Sequence, residues 1–142
     1  MSDALRRLEI LMGDTLQILD HMKVNSVHND ILRTIKHSIK EQNNKVEALS
    51  KHTGEQRIQS AVSMTKQLHA INTKVQQLET QLMEEYKQAT GNQIESYEQM
   101  AFEEQVEQKE TYHNKIDYLS ATKIQENINR MNEVLYSIIS SS

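Results

Sequence analysis

Glycine is the main helix-breaking residue in this chain. The 142 residues include no proline, and two of the three glycines stand in nearly identical quartets, at 53–56 (Thr-Gly-Glu-Gln) and 90–93 (Thr-Gly-Asn-Gln). Glycine readily adopts the left-handed conformation that ends helices, and Thr-x-x-Gln has the spacing of a capping box that begins one. The sequence therefore predicts long helices interrupted at two places.

Helical periodicity fills the segments between these quartets. We expect an all-α fold, an elongated antiparallel bundle or coiled coil of three long helices at about residues 3–52, 55–90 and 92–139, in a single domain over residues 1–142. The stretch 25–30 is rich in Asn, Ser and Asp, whose side chains compete with the backbone for hydrogen bonds. A break in that stretch would give four helices instead of three.

The first segment carries a wide apolar stripe. Its main positions recur every three or four residues, with Thr15 in the one vacant step: Leu5, Leu8, Met12, Leu19 and Met22. Leu11, Leu16 and Ile18 widen the stripe, and a stripe of this width is typical of a helix that packs against two neighbours. Acidic residues outnumber Arg6 and Arg7 over residues 3–22, which is the wrong charge for an anionic membrane surface, so the stripe indicates core packing.

The segment 55–90 has the most regular pattern in the chain. Its apolar residues alternate at spacings of three and four: Ala61, Met64, Leu68, Ile71, Val75, Leu78 and Leu82. We call this heptad row the central seam; it requires a partner helix, because a long helix with one narrow apolar row is not stable alone. We predict that it forms an internal or intermolecular protein contact through five of its residues: Leu68, Ile71, Val75, Leu78 and Leu82.

The third segment ends in a second regular row, which begins at Ile124. The segment is longer than the second one, so antiparallel pairing from a turn at Gly91 would leave its end overhanging. We expect the overhang to be a surface for the first helix or for another protein, formed by Ile128, Met131, Leu135 and Ile138. Residues 103–115 have only Val106 and Tyr112 as large apolar groups, which predicts the most solvated stretch of the bundle.

Charge is distributed unevenly along the chain. Residues 1–71 contain ten basic and eight acidic residues, whereas 72–142 contain six and twelve. Nine of the acids lie between Glu79 and Glu110, and this acidic strip would repel nucleic acid. The pattern is typical of a solvated helix face. The alternative is a docking strip for a basic partner or for the more basic first half of this chain.

Residues that could support catalysis are scarce. The chain has no cysteine, and its glycines are isolated from one another, so it offers neither a thiolate nor a glycine-rich phosphate loop. Glu110 and His113 have the Glu-x-x-His spacing of di-iron bundles, but those sites need a second such pair, and no other histidine follows an acid by three residues. We therefore expect no enzyme activity, no catalytic residues, no metal and no cofactor.

The sequence favours protein assembly as the function. We expect a non-enzymatic coiled-coil subunit or scaffold that joins a homo- or hetero-oligomer through its helical seams, without nucleic acid, membrane insertion or a small-molecule substrate. The alternative is a helical chaperone or escort that holds a client protein, such as a secretion substrate, in a groove. The absence of a secretory signal and of a long apolar run favours a cytoplasmic location.

Overall fold

The computed structural model describes the backbone of residues 3–90 and 102–141, and the side chains of residues 3–88 and 115–141. Within these ranges the chain forms four α-helices and one short 3-10 turn. They are α1 (Asp3–His21), the 3-10 turn (Ser26–His28), α2 (Asn29–Lys51), α3 (Gly54–Thr90) and α4 (Phe102–Ser141). The predicted turn at Gly91 and the predicted start of the third segment at residue 92 lie outside the described residues.

The first predicted helix is two helices. After α1 ends at His21, the backbone is extended at Asn25, where ψ is 148°, and the N–H of His28 donates to the carbonyl of Asn25 over 2.8 Å. The hydroxyl of Ser26 donates to the side chain of Asn25 over 3.4 Å. The continuous helix predicted over 3–52 is therefore wrong, and the predicted alternative, a break near 25–30, is confirmed.

The second interruption is a tight connection of two residues, His52 and Thr53. The backbone of His52 is extended, with ψ at 150°, and Gly54 has φ at +57°, in the left-handed region that favours glycine. The predicted left-handed glycine is thus confirmed, although it begins α3 instead of ending α2. Within the described residues, no capping-box hydrogen bond joins Thr53 to Gln56.

The four helices form a closed ring in which neighbours run antiparallel. Helix α1 packs against α2 and α4, and α3 packs against α2 and α4. The direction of each pair follows from its side-chain contacts. For α1 and α4, Lys23 lies beside Asp117 and Asp14 lies beside Asn127; for α2 and α3, His28 lies beside Glu85 and His52 lies beside Ser60. The predicted all-α antiparallel bundle is confirmed in its four-helix form, with up-down-up-down order.

The core lies along the bundle axis and is built from aliphatic and methionine side chains. The five apolar residues named in the first segment are buried, four in α1 and Met22 just after it, and so are Ile35, Ile39, Val46 and Leu49 of α2. Each row follows the helical repeat, so each helix turns its apolar face to the axis and leaves its polar face in water. This arrangement suits a chain with one Phe, five Tyr and no Trp.

Two of the helices are much longer than the others. Helices α1 and α2 have 19 and 23 residues, whereas α3 and α4 have 37 and 40. Asp117 of α4 lies beside Lys23, just past the end of α1, yet α4 already begins at Phe102. The backbone of α4 therefore continues about 20 Å past the four-helix part, at 1.5 Å per residue. We call the end from which α3 and α4 continue the hairpin end.

Candidate interaction surfaces

The central seam is an internal contact. Its seven residues are between 0 and 5% exposed, and the helices that bury them, α2 and α4, belong to the same chain. Leu68, Val75 and Leu78 are fully enclosed. Of the two forms of the prediction, an internal or an intermolecular contact, the structure has the internal one.

The residues predicted to form a partner surface on the third segment lie in the core. Ile128, Met131, Leu135 and Ile138 are 0 to 3% exposed. Of the two covers predicted for these residues, the first helix or another protein, the structure has the first helix, because α1 folds back and lies antiparallel along this half of α4. The break between α1 and α2 makes that possible, since it lets α1 reverse direction and occupy the fourth corner of the bundle.

Polar side chains fix α1 against α4. Asn127 is buried, and its Nδ2 donates to the carboxylate of Asp14 over 2.8 Å and to the hydroxyl of Thr15 over 3.2 Å. At the hairpin end, the backbone N–H of Lys23 donates to Oδ1 of Asp117 over 3.1 Å. These hydrogen bonds lie at two heights along the helices and fix how α1 and α4 align along their length. Sliding either helix would leave a buried polar group unpaired.

A second set of polar contacts fixes α2 against α3. Nε2 of the buried His28 lies 2.6 Å from Oε1 of Glu85, which places the 3-10 turn on α3. Half-way along the helices, the amide of the buried Gln42 donates to the side chain of Gln67, which also accepts from Nζ of Lys45 over 3.0 Å. The α1–α2 pair is thus attached to the α3–α4 pair by polar contacts on both of its helices.

Within the α1–α2 pair, the polar contact is at the surface. Nζ of Lys36 lies 2.7 Å from Oδ1 of Asp20, and 58% of the Asp20 side chain is exposed. The hydrogen bond and the positive charge of Lys36 lower the pKa of the Asp20 carboxyl below its usual value. An exposed ion pair of this kind adds little stability and joins two helices that are already consecutive in the chain.

Sequence reasoning missed most of the buried polar residues, although their positions carry a signal. Asp117 and Ala121 extend the α4 row toward the N-terminus at spacings of four and three. Gln42 fills the gap between Ile39 and Val46, and His28 lies seven residues before Ile35. The position of a polar residue within an apolar row therefore indicates that it is buried. The row does not show which residue forms its hydrogen bond.

Only part of the predicted acidic strip lies within the described side chains. Glu79 accepts from the hydroxyl of Thr122 over 2.7 Å, Glu85 contacts His28, and Glu84 is exposed. The side chains of Glu110 and His113 lie outside the described residues. Among the side chains that are described, no three His, Asp or Glu residues lie close enough together to bind a metal ion.

Of the five large apolar side chains that are exposed within the described ranges, three lie at the hairpin end, and Ile10 and Tyr136 lie elsewhere. Val27 of the 3-10 turn is 73% exposed, and Ile116 and Leu119, on either side of Asp117, are 42% and 52% exposed. We call Val27, Ile116 and Leu119 the hairpin-end apolar residues. Beside Val27, a groove of about 440 Å³ runs between the 3-10 turn and α3, and it is also lined by the exposed carboxylate of Glu84. These three residues are not among the positions predicted from the sequence.

In comparisons with known proteins, no family model, no curated protein and no solved structure matches this chain. Across the described residues, no helix has the length and apolar character needed to cross a membrane.

Proposed function

We propose that this protein is a non-enzymatic subunit of a protein assembly, in which the four-helix part is the folded body and the hairpin end binds the partner. The observation that carries the proposal is the contrast between two places in the molecule. The regular apolar rows are enclosed by the chain's own helices, whereas Val27, Ile116 and Leu119 leave large apolar side chains in water. Large apolar side chains exposed at one end of a bundle are candidates for a surface that another protein covers.

The length of α4 supports the same location. Its first turns, from Phe102 onward, lie beyond the level at which α1 ends, so α1 and α2 do not accompany them. A helix that extends beyond its neighbours has faces that only a further helix would cover. A partner helix laid along α3 and α4 would continue the bundle past the end of α1.

Leu119→Asp tests the site against a matched control, Ile10→Asp. Both positions are exposed, at 52% and 63%, and Ile10 lies in the middle of α1, away from the hairpin end. Both variants should keep the helical circular dichroism of the wild type, since neither side chain is in the core. In quantitative affinity isolation of the tagged chain from cells, we expect Leu119→Asp to lose co-isolated proteins at least tenfold and Ile10→Asp to keep them, as about 1.4 kcal/mol of lost contact is a tenfold change.

Equal recovery with both variants would show that the partner does not bind here. A second experiment distinguishes a permanent subunit from an escort. Isotope-labelled chain is added to the isolated complex, and the rate at which it replaces the bound chain is measured. A subunit should exchange over hours or longer, while rapid release of the bound protein would favour the chaperone alternative.

A further inference from the structure

The connection between α2 and α3 depends on the backbone conformation of one residue. Only His52 and Thr53 lie between Lys51, the last residue of α2, and Gly54, the first of α3. Gly54 has φ at +57°, a conformation that other L-residues adopt at a cost equivalent to roughly a tenfold change in equilibrium. The chain reverses direction here because glycine makes that conformation accessible.

The same segment can also continue as helix. If residues 52–54 took helical dihedral angles, α2 and α3 would become one helix over residues 29–90. A glycine inside a helix weakens it only about fivefold relative to alanine. Glycine therefore permits both the turn and the continuous helix, and contacts elsewhere in the bundle decide between them.

Straightening this turn separates the molecule into two intact halves. The α1–α2 pair keeps its internal contact between Asp20 and Lys36, and the α3–α4 pair keeps the contact between Glu79 and Thr122. The contacts that are lost all lie between the halves, namely α1 with α4 and α2 with α3. They include the buried hydrogen bonds of Asn127. A second straightened copy offers the same surfaces in the same register, so each lost contact can form again between two copies.

We propose that a second copy of this chain is the partner for these faces: the 52–54 turn is an exchange hinge, and straightening it gives a domain-swapped dimer. In this dimer, α1 and α2 of one copy pack on α3 and α4 of the other. The proposal goes beyond the assembly function proposed above and does not depend on the hairpin-end surface. Short connections that must turn sharply are the usual hinges of such exchange.

Gly54→Ala tests the hinge, with two matched controls. A Cβ at Gly54 or at Gly13 meets no atom within 4 Å, so alanine at either position introduces no clash. Gly13 lies inside α1, where alanine should leave the oligomeric state unchanged. Gly54→Asn should also behave as wild type, because asparagine tolerates the left-handed region. By light scattering over a concentration series, Gly54→Ala should lower the dimer dissociation constant at least about a hundredfold, about tenfold for each of two opened chains.

Cross-linking shows whether the dimer is swapped, since the chain has no cysteine of its own. Gln42 and Gln67 contact each other across α2 and α3. Gln42→Cys and Gln67→Cys are introduced into separate chains of different tag length, both carrying Gly54→Ala, and the mixture is refolded and oxidised. We expect a disulfide-linked heterodimer between the two tag lengths, which mass spectrometry assigns to positions 42 and 67.

Two results would overturn the proposal. One is Gly54→Ala with the same dissociation constant as Gly13→Ala; the other is a dimer without the 42–67 linkage between chains. If Gly54→Ala loses its helical circular dichroism, deletion of Thr53 replaces it, because a one-residue link also prevents the close turn. The same two results, obtained with the Thr53 deletion, would then overturn the proposal.

Discussion

At the scale of single residues, two buried asparagines of α4 have opposite surroundings. Asn127 donates two hydrogen bonds to α1, to Asp14 and Thr15. Asn132 is equally buried, but neither its amide nitrogen nor its carbonyl oxygen has a hydrogen-bond partner among the described residues. A buried polar group stabilises a fold only when it is paired, and an unpaired one costs its full desolvation penalty. The two residues should therefore respond oppositely to replacement.

We expect Asn127→Ala to lower the free energy of unfolding by about 1–3 kcal/mol, because Thr15 then loses a buried donor. Asn132→Leu should raise it by about 1–2 kcal/mol, because an apolar group of similar volume replaces an unpaired amide. Asn129→Ala is the control, since Asn129 is exposed and its contact with Asn72 is 3.5 Å long, and it should change stability by less than about 0.5 kcal/mol. Urea unfolding measures all three, and a loss of stability in Asn132→Leu would contradict this account.

For these polar residues, burial could be predicted from the sequence but the hydrogen-bond partner could not. Thr15 was placed in the α1 stripe from its spacing alone, and it is buried as that spacing predicts. Asp117 and Gln42 have equally regular spacing, but the spacing of a charged or amide side chain does not show which residue it pairs with. The partners, Lys23 and Gln67, lie 94 and 25 residues away in the chain. Pairing over such separations comes only from folding.

At the scale of elements, α3 was the most predictable helix because its pattern is local. Spacings of three and four keep all seven residues of the central seam on one face, whatever lies opposite. Helices α1 and α2 were harder, because a weak stretch inside a continuous apolar pattern allowed both a helix and a break. The structure shows the break, with Met22 and His28 buried on either side of it. Because both of these residues are buried, the connection between α1 and α2 is held against the bundle.

Val75→Asp tests the seam at its centre. Val75 is fully buried, so an aspartate there is an uncompensated charge in the core, and we expect a loss of at least about 3–5 kcal/mol, enough to unfold a marginal bundle. Lys74→Asp is the control, because Lys74 is the exposed neighbour on the same helix turn and should tolerate the change. Circular dichroism measures the helicity of both variants, and light scattering measures their size. A Val75→Asp chain of unchanged size and helicity would rule out the central seam as a core contact.

At the scale of the whole molecule, the unequal helix lengths create two environments within α4. Residues 121–138 lie in the four-helix part, where Ile124, Ile128 and Leu135 are buried. Residues 103–115 are helical but begin past the end of α1, and their sequence offers few large apolar groups. Amide hydrogens are protected by packed neighbours as well as by helical hydrogen bonds. The amides of α4 should thus have two levels of protection against hydrogen exchange, low in residues 103–115 and high in residues 121–138.

Hydrogen exchange followed by mass spectrometry checks this difference. We expect amides in 103–115 to exchange at least about a hundredfold faster than those in 121–138, because local opening there breaks fewer buried contacts. The two peptides come from one helix of one sample, so each is the control for the other. Equal protection along α4 in the isolated chain would mean that the hairpin end is already covered, and it would count against a partner at that end.

The sequence by itself determined the helical class, the apolar face of each helix and the glycine that turns the chain at 54. These follow from local rules, because the period of an α-helix and the conformational freedom of glycine do not depend on distant residues. Tertiary structure alone decided which faces meet. It placed α1 over Ile128, Met131, Leu135 and Ile138, for which the sequence had allowed either the first helix or another protein, and it left Val27, Ile116 and Leu119 exposed. An apolar row requires a cover but does not specify one, since burial is non-directional and any complementary helix satisfies it.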